Sequence, residues 1–358
     1  MSESFFGQGQ PVGHSPSNKD TFCQISAQMA TLACLFDVTT PKAGNVHRFS
    51  DFKDMGQEHF LASAIASFPT FFEGSKRGKA IREGRLSYSQ TGLGELIKNG
   101  ILASREWGFS QNANLGILLL LIPLCTISSC VEGRKGENWI KSARSMLSKI
   151  LDHSTSMDSK NILTAIHLAQ PAGLGKSEKF DVLDPHVFSE LENNQVNLRQ
   201  LFWECRTRDL ICQEYTTNFE GIFKKGLLRF YEARKNPLPL RETILDVYLN
   251  LLASQPDTHL IRKFGATIAR EVQQKGQDVL KAGSAYSKEG ILAAYKLDKY
   301  LKERGYNPGT TADFTVASLF TYWLDLWHKN RKLDLSNLIT PGNLMYPWCT
   351  MLDTNLTK

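Results

Sequence analysis

The stretch TVASLFTYWLDLW, Thr315 to Trp327, decides the fold class. Val316, Leu319, Phe320, Trp323 and Trp327 are spaced by three and four, which sets them on one face of a helix. Outward from it the same spacing recurs in Phe22, Ile25, Met29, Leu32 and Phe36, and again in Ile244, Val247, Tyr248, Leu251 and Leu252. Alternating runs bounded by hairpin signals such as Asn-Gly are missing, so strands find no support. Pro41 with Gly44, Pro171 with Gly173 and Gly175, Pro237 with Pro239, Pro256, and Pro308 with Gly309 punctuate the pattern where helices should stop. The spacing predicts helices near 20–38, 57–73, 90–105, 113–130, 137–152, 158–169, 187–192, 196–215, 218–233, 241–254, 258–281, 288–303 and 311–329. The expectation is an all-α chain: a polar, disordered arm over 1–19, one multi-helix globular domain over 20–330, and a C-terminal tail over 331–358 packing on its surface.

With 358 residues, 42% of them hydrophobic, the chain can bury a substantial core. Its net charge of +6 comes from scattered Lys and Arg. That suits a small phosphate-bearing ligand better than long nucleic acid, which needs a dense basic stripe. The seven cysteines, Cys23, Cys34, Cys125, Cys130, Cys205, Cys212 and Cys349, contain no Cys-x-x-Cys pair. They read as buried free thiols in a reducing compartment. The most apolar run, Leu115 to Cys125, is too short to span a bilayer. No secretory signal opens the chain. A cytoplasmic protein without a membrane partner is expected.

The informative residues are polar groups that interrupt apolar stripes. Asp209 falls on the inward side of the predicted 196–215 helix, after Leu198, Leu201, Phe202 and Cys205. A charge there needs an ion pair, with Arg206 or Arg208 for instance, or a metal. Asp257 heads the stripe Ile261, Phe264, Ile268 and Val272. It reads as a helix cap, or, with Arg262 and Lys263 one turn on, as part of a phosphate site. Asp313 follows Asn307-Pro-Gly-Thr310 and resembles the far end of a capping box with Thr310. Between Thr39 and Arg48, a Pro- and Gly-stiffened loop presents Lys42, Asn45, His47 and Arg48, with Asp51 and Asp54 close behind. Such a cluster either holds a magnesium–triphosphate or forms a solvated loop. Asn112 and Asn114 precede the most apolar helix and either cap it or contact a sugar or base, while Gly173-Leu-Gly-Lys176 lacks the spacing and the strand of a Walker loop. No His-Glu-x-x-His, Gly-x-Ser-x-Gly or Gly-x-Gly-x-x-Gly appears.

In their order and spacing these segments resemble the triphosphoribosyl-dephospho-CoA synthases. The carriers are ThrProLys-x-GlyAsnValHisArg at 40–48, Asp51 to Met55, Asn112-x-AsnLeuGly116, GlyLeuGlyLys at 173–176, ArgAspLeuIle with GluTyr over 208–215, ProAspThr with ArgLys over 256–263, and AsnProGlyThrThrAlaAsp at 307–313. The resemblance covers nearly all of 20–330. It implies an all-α enzyme, with its active site in a cleft between helices, that joins ATP to 3′-dephospho-CoA, or a related nucleotide-like acceptor, and releases adenine. It further implies Mg2+ with the ATP. On this reading Asp209, Asp257 and Asp54 are the catalytic candidates, and Asp51, Asp54, Asp209 and Asp257 the metal candidates. Lys42, Asn45, His47, Arg48, Asn112, Asn114, Gly116, Lys176, Arg208, Arg262, Lys263, Asn307, Thr310 and Asp313 are the expected substrate contacts. Changing Asp209 or Asp257 to Asn is expected to abolish turnover and leave the fold intact.

The chain departs from the lyase-associated members at Phe49 to Met55, at Asn114-Leu-Gly116 and at Gly175-Lys-Ser177. There it is closer to a branch found in archaea and in bacteria with tetrahydromethanopterin-linked one-carbon metabolism, in which a different acceptor is an alternative. A non-catalytic nucleotide-binding helical protein is a second alternative. The terminal segments offer surfaces for a homodimer.

Overall fold

The computed structural model describes residues 20–52, 55–107, 114–133, 138–171, 173–175, 177–235 and 238–332. Among them the regular structure is helical, with no strand. The first half contains α1 (Thr21–Thr39), α2 (Gln57–Arg82), α3 (Leu93–Glu106), α4 (Leu115–Cys130), α5 (Trp139–His153), α6 (Ser156–Ala169) and α7 (Val187–Asn193). The second contains α8 (Leu198–Trp203), α9 (Leu210–Thr217), α10 (Leu227–Ala233), α11 (Leu240–Ser254), α12 (Thr258–Phe264), α13 (Ala266–Lys281), α14 (Lys288–Glu303) and α15 (Gly309–Asn330). A π-helical turn, Gly221–Gly226, leads into α10. No described helix is long and apolar enough to cross a membrane.

Helix α4 is apolar on every side and lies at the centre, packed against α1, α2, α3, α5 and α15. Gly78 lets α2 approach it: a Cβ there would meet the Thr126 carbonyl oxygen at 2.0 Å. Pro123 inside α4 has no N–H for the Leu119 carbonyl one turn back. The buried Tyr215 hydroxyl donates to that carbonyl instead, at 2.7 Å. A second apolar cluster gathers α11 to α14. Helix α11 belongs to both, giving Ile244, Val247 and Leu251 to the first and Leu245, Tyr248, Leu249 and Leu252 to the second.

Four local expectations change. The predicted 57–73 helix runs on to Arg82, with Gly74 and Gly78 forming its contact surface with α4. The predicted 196–215 helix is two, α8 and α9, separated by a turn in which Asp209 starts the second. The predicted 258–281 helix breaks at Gly265, whose φ of +89° is left-handed. Finally, Cys205 and Cys212 form a disulfide across the α8–α9 turn rather than remaining free thiols. Cys23, Cys34, Cys125 and Cys130 are buried thiols outside any disulfide, as expected. Cys349, the 1–19 arm and the tail beyond residue 332 lie outside the described residues.

Candidate active site

Part of the predicted set, Lys42, Gly116, Asp209, Asp257, Arg262, Thr310 and Asp313 among it, lies along the seam between the two apolar clusters, near the end of α1 and the starts of α4, α12 and α15. The loop after α1 is fixed first. Pro41 turns the chain so that Lys42 points back into the protein, fully buried. Its ammonium lies 3.0 Å from the Asp37 carboxylate and donates to the Asp37 carbonyl. Burial holds the Asp37 carboxyl above its usual range, and Lys42 opposes that. Tyr248 from α11 donates to the Ala43 carbonyl at 2.6 Å. Asp298 on α14 accepts the Gly44 N–H at 2.9 Å and pairs with His47 Nε2 at 3.1 Å. Gly44 is required here: its φ is +79°, and a Cβ would meet the Tyr306 carbonyl oxygen at 2.7 Å. Asn45 donates to the Asn307 side chain at 2.8 Å, which ties this loop to the one before α15.

Asp257 joins two helix starts. One oxygen accepts the Leu260 N–H at 2.9 Å and caps α12. The other accepts the N–H and hydroxyl of Thr311, at 2.7 and 2.8 Å, in the first turn of α15. Thr310 accepts from the His259 N–H and the Thr258 hydroxyl, both at 3.2 Å. Gly309 makes room for the His259 ring, whose Nδ1 would lie 2.6 Å from a Cβ. The capping box expected of Thr310 and Asp313 does not form: the N-cap of α15, Pro308, has no side-chain cap bond, and Asp257 from another helix supplies the acceptor.

Asp313 is thereby left for the seam itself. Its carboxylate sits against Gly116 at the start of α4, where a Cβ would lie 2.0 Å from Oδ2. Burial holds its carboxyl well above the usual range; the charges of Asp37, Asp257 and Asp209 push the same way, and Arg262 opposes them. Asp209 caps α9 through the Ile211 and Cys212 N–H groups. Its second oxygen pairs with Arg262, and not with Arg206 or Arg208. Arg208 instead donates to the Ser177 hydroxyl at 2.6 Å. The Gly173 turn, at φ +78°, runs against the Arg262 backbone.

Other predicted contacts are placed elsewhere. The Asn114 amide donates to Ser67 at 2.9 Å and Ser104 at 3.2 Å, in a buried hydroxyl network between α2, α3 and α4. Arg48 and Lys263 are exposed and lie over the neighbouring rings of Phe49 and Phe264. The three bases of the 42–48 loop therefore do not converge. Asp51 accepts the Gln57 N–H at 2.9 Å and is exposed. Asp54, Asn112 and Lys176 lie outside the described residues. Asp37, Asp298, His259 and Thr311 were not singled out in the sequence, although a carboxylate on the inward side near the end of α1 is a readable signal.

The family model described as ATP:dephospho-CoA triphosphoribosyl transferase (CitG) matches residues 23–332. The chain belongs to this family. A Malonomonas rubra protein described as a probable 2-(5''-triphosphoribosyl)-3'-dephosphocoenzyme-A synthase is 31% identical to it over 85 residues. That match spans 24% of this chain and 27% of the relative. An Archaeoglobus fulgidus crystal structure, proposed to be a triphosphoribosyl-dephospho-CoA synthase, superposes with a TM-score of 0.54 over 75% of this chain and 99% of that one. At 22% identity that likeness bears on the all-α fold alone. Within this transferase family, the seam brings together residues from most of the matched segment.

Proposed function

We propose that this chain transfers the triphosphoribosyl group of ATP to the ribose hydroxyl of 3′-dephospho-CoA and releases adenine. The observation that carries the reading is the gathering of Asp37, Asp209, Asp257 and Arg262 about the buried Asp313 carboxyl at the seam, in a chain of this family. Departure of adenine from the anomeric carbon leaves positive charge on the sugar, as in glycoside cleavage. A carboxylate cluster held by the fold stabilises that charge without reorganising. Asp313 is the fittest base: its oxygens are not consumed in capping, and its carboxylate lies in the seam against the start of α4. Asp257 and Asp209 act as positioning residues, one setting α12 and α15 and the other holding Arg262.

The residues fit Mg2+ on charge. Four carboxylates face the two cations Lys42 and Arg262, a surplus that a divalent ion brought in with the triphosphate would offset. Among the described residues no three His, Cys, Asp or Glu side chains form a ready cage, so the protein would supply one or two carboxylates, with Asp37 and Asp313 best placed. Bound there, the ion would neutralise phosphate charge. A cytoplasmic setting, where ATP is plentiful, suits the reaction.

The test is free adenine, measured by chromatography after incubating the protein with ATP, magnesium and 3′-dephospho-CoA. Stoichiometric adenine from the wild type, falling by at least about 100-fold in Asp313→Asn, supports the reading. An Asp313→Asn variant that keeps wild-type release removes Asp313 as the base. No adenine from the wild type refutes the assignment of acceptor and reaction together.

A further inference from the structure

Beside Asp209, on the outer side of the α8–α9 turn, lies an open groove of about 490 Å³, the right size for a nucleotide. Trp203 forms one wall and stays 50% exposed, an unusual place to leave an indole on a structural helix. The Arg206 guanidinium lies over its ring at 3.6 Å and is anchored on the Trp203 carbonyl. Gln213, Thr216 and Thr217 of α9 also line it, together with Asp209 and Thr258. Thr258 is hydrogen-bonded to Thr310 and Asp209 is paired with Arg262, so two lining residues of the groove touch the carboxylate seam. The Cys205–Cys212 disulfide braces the turn that carries Arg206 and Asp209.

Resting on the transferase reading above, we propose that this groove binds the acceptor nucleotide, with its adenine stacked on Trp203 and its ribose directed toward Asp209. The chemistry separates the two substrates. A triphosphate needs concentrated positive charge and a metal, whereas the groove is lined mainly by hydroxyls and an amide, with Arg206 as its cation. An exposed indole beside a guanidinium is a stacking platform for a base and its phosphates. Neutral hydrogen-bonding groups suit the amides of a pantetheine arm, and the open side lets that arm leave the protein. ATP, by contrast, is left to the charged seam inward of Asp209. The arrangement brings the acceptor ribose to the seam beside Asp209, next to the ATP that the seam holds, as a transfer between them requires.

Calorimetric titration tests the placement without relying on turnover. Dephospho-CoA and ATP with magnesium are titrated separately into the wild type, Trp203→Ala and Trp203→Phe. The exposure of Trp203 makes both variants foldable. The expected result is that Trp203→Ala weakens dephospho-CoA about 5- to 150-fold, the usual loss for a base–aromatic stack. ATP affinity should stay within about two-fold, and Trp203→Phe should restore most of the dephospho-CoA affinity. Unchanged dephospho-CoA affinity in Trp203→Ala, equal weakening of both nucleotides, or no dephospho-CoA binding by the wild type would overturn the proposal. The adenine assay reports on the reaction separately. Trp203-dependent binding without adenine release keeps the groove and removes the transfer; adenine release with binding indifferent to Trp203 does the reverse.

Discussion

Replacing Asp257 by Asn changes one atom and should cost the fold more than any surface substitution. The carboxylate is 1% exposed and accepts three hydrogen bonds, from the Leu260 N–H, the Thr311 N–H and the Thr311 hydroxyl. An amide has one acceptor oxygen. Whichever way it turns, its NH2 faces a buried backbone N–H at the start of α12 or of α15. Stranding that donor costs about 1–3 kcal/mol. Loss of the negative charge from two helix N-termini adds about 0.3–1 kcal/mol for each. The sum is roughly 1.5–5 kcal/mol, which lowers the melting temperature by roughly 2–7 °C in a chain of this size. Thermal unfolding followed by far-UV circular dichroism reads it directly. Asp209→Asn is the control: asparagine can still cap α9, and the loss is confined to the partly exposed pair with Arg262, about 0–1 kcal/mol. An Asp257→Asn protein that melts within about 1 °C of the wild type, or above Asp209→Asn, would refute the joint that Asp257 is argued to form. This revises the expectation that the Asn variant leaves the fold intact. Lost turnover in it would not by itself identify a base.

Gly116→Ala should separate activity from stability. Its Cβ would sit 2.0 Å from the Asp313 carboxylate, so Asp313 must move by more than an ångström, a displacement that costs about 100-fold in catalysis. The helix gains up to about 1 kcal/mol from alanine and loses about 1–3 kcal/mol to crowding, so the melting temperature should change little; wild-type adenine release would contradict the placement of Asp313. A third prediction concerns Glu214, which accepts the Gly221 and Ile222 N–H groups and whose carboxyl is pushed up to about 7 by burial. The folded chain keeps a proton that the unfolded chain releases near 4.5, so stability falls as pH rises from about 4.5 to 7 and the penalty is complete above that, on the order of 3 kcal/mol. Glu214→Gln should flatten the change in melting temperature between pH 5 and pH 8, and identical slopes in the two proteins would count against it.

The helices were legible because apolar stripes at helical spacing survive any tertiary arrangement. The α8–α9 turn was not. Leu198, Leu201, Phe202, Cys205, Asp209 and Cys212 keep helical spacing across the break, and the interruption arises from Asp209 capping α9. The site was legible as a set of segments and not as an arrangement. Lys42 reads as a cation offered to solvent, yet the turn at Pro41 aims it back at Asp37. Asp313 reads as a cap for its own helix, yet the cap arrives from Asp257. Contacts such as Gly44 with Asp298 join distant parts of the chain, and no local pattern encodes them. Within the 256–263 and 307–313 segments, Thr258, His259 and Thr311 were visible as letters but not as partners.

The seam takes Asp37 and Lys42 from α1 and its loop, and Asp313 from α15. On the ribosome these groups emerge far apart in time, on the order of 15–60 s at about 5–20 residues per second. Helices α1 to α4 can already pack together during that wait, with Lys42 paired locally to Asp37 and α4 still lacking its cover from α15. The nascent chain thus carries an apolar core open on one side until α15 docks. Synthesis that stops short of α15 would leave a protein that is sticky as well as inert, a natural target for chaperones and proteases.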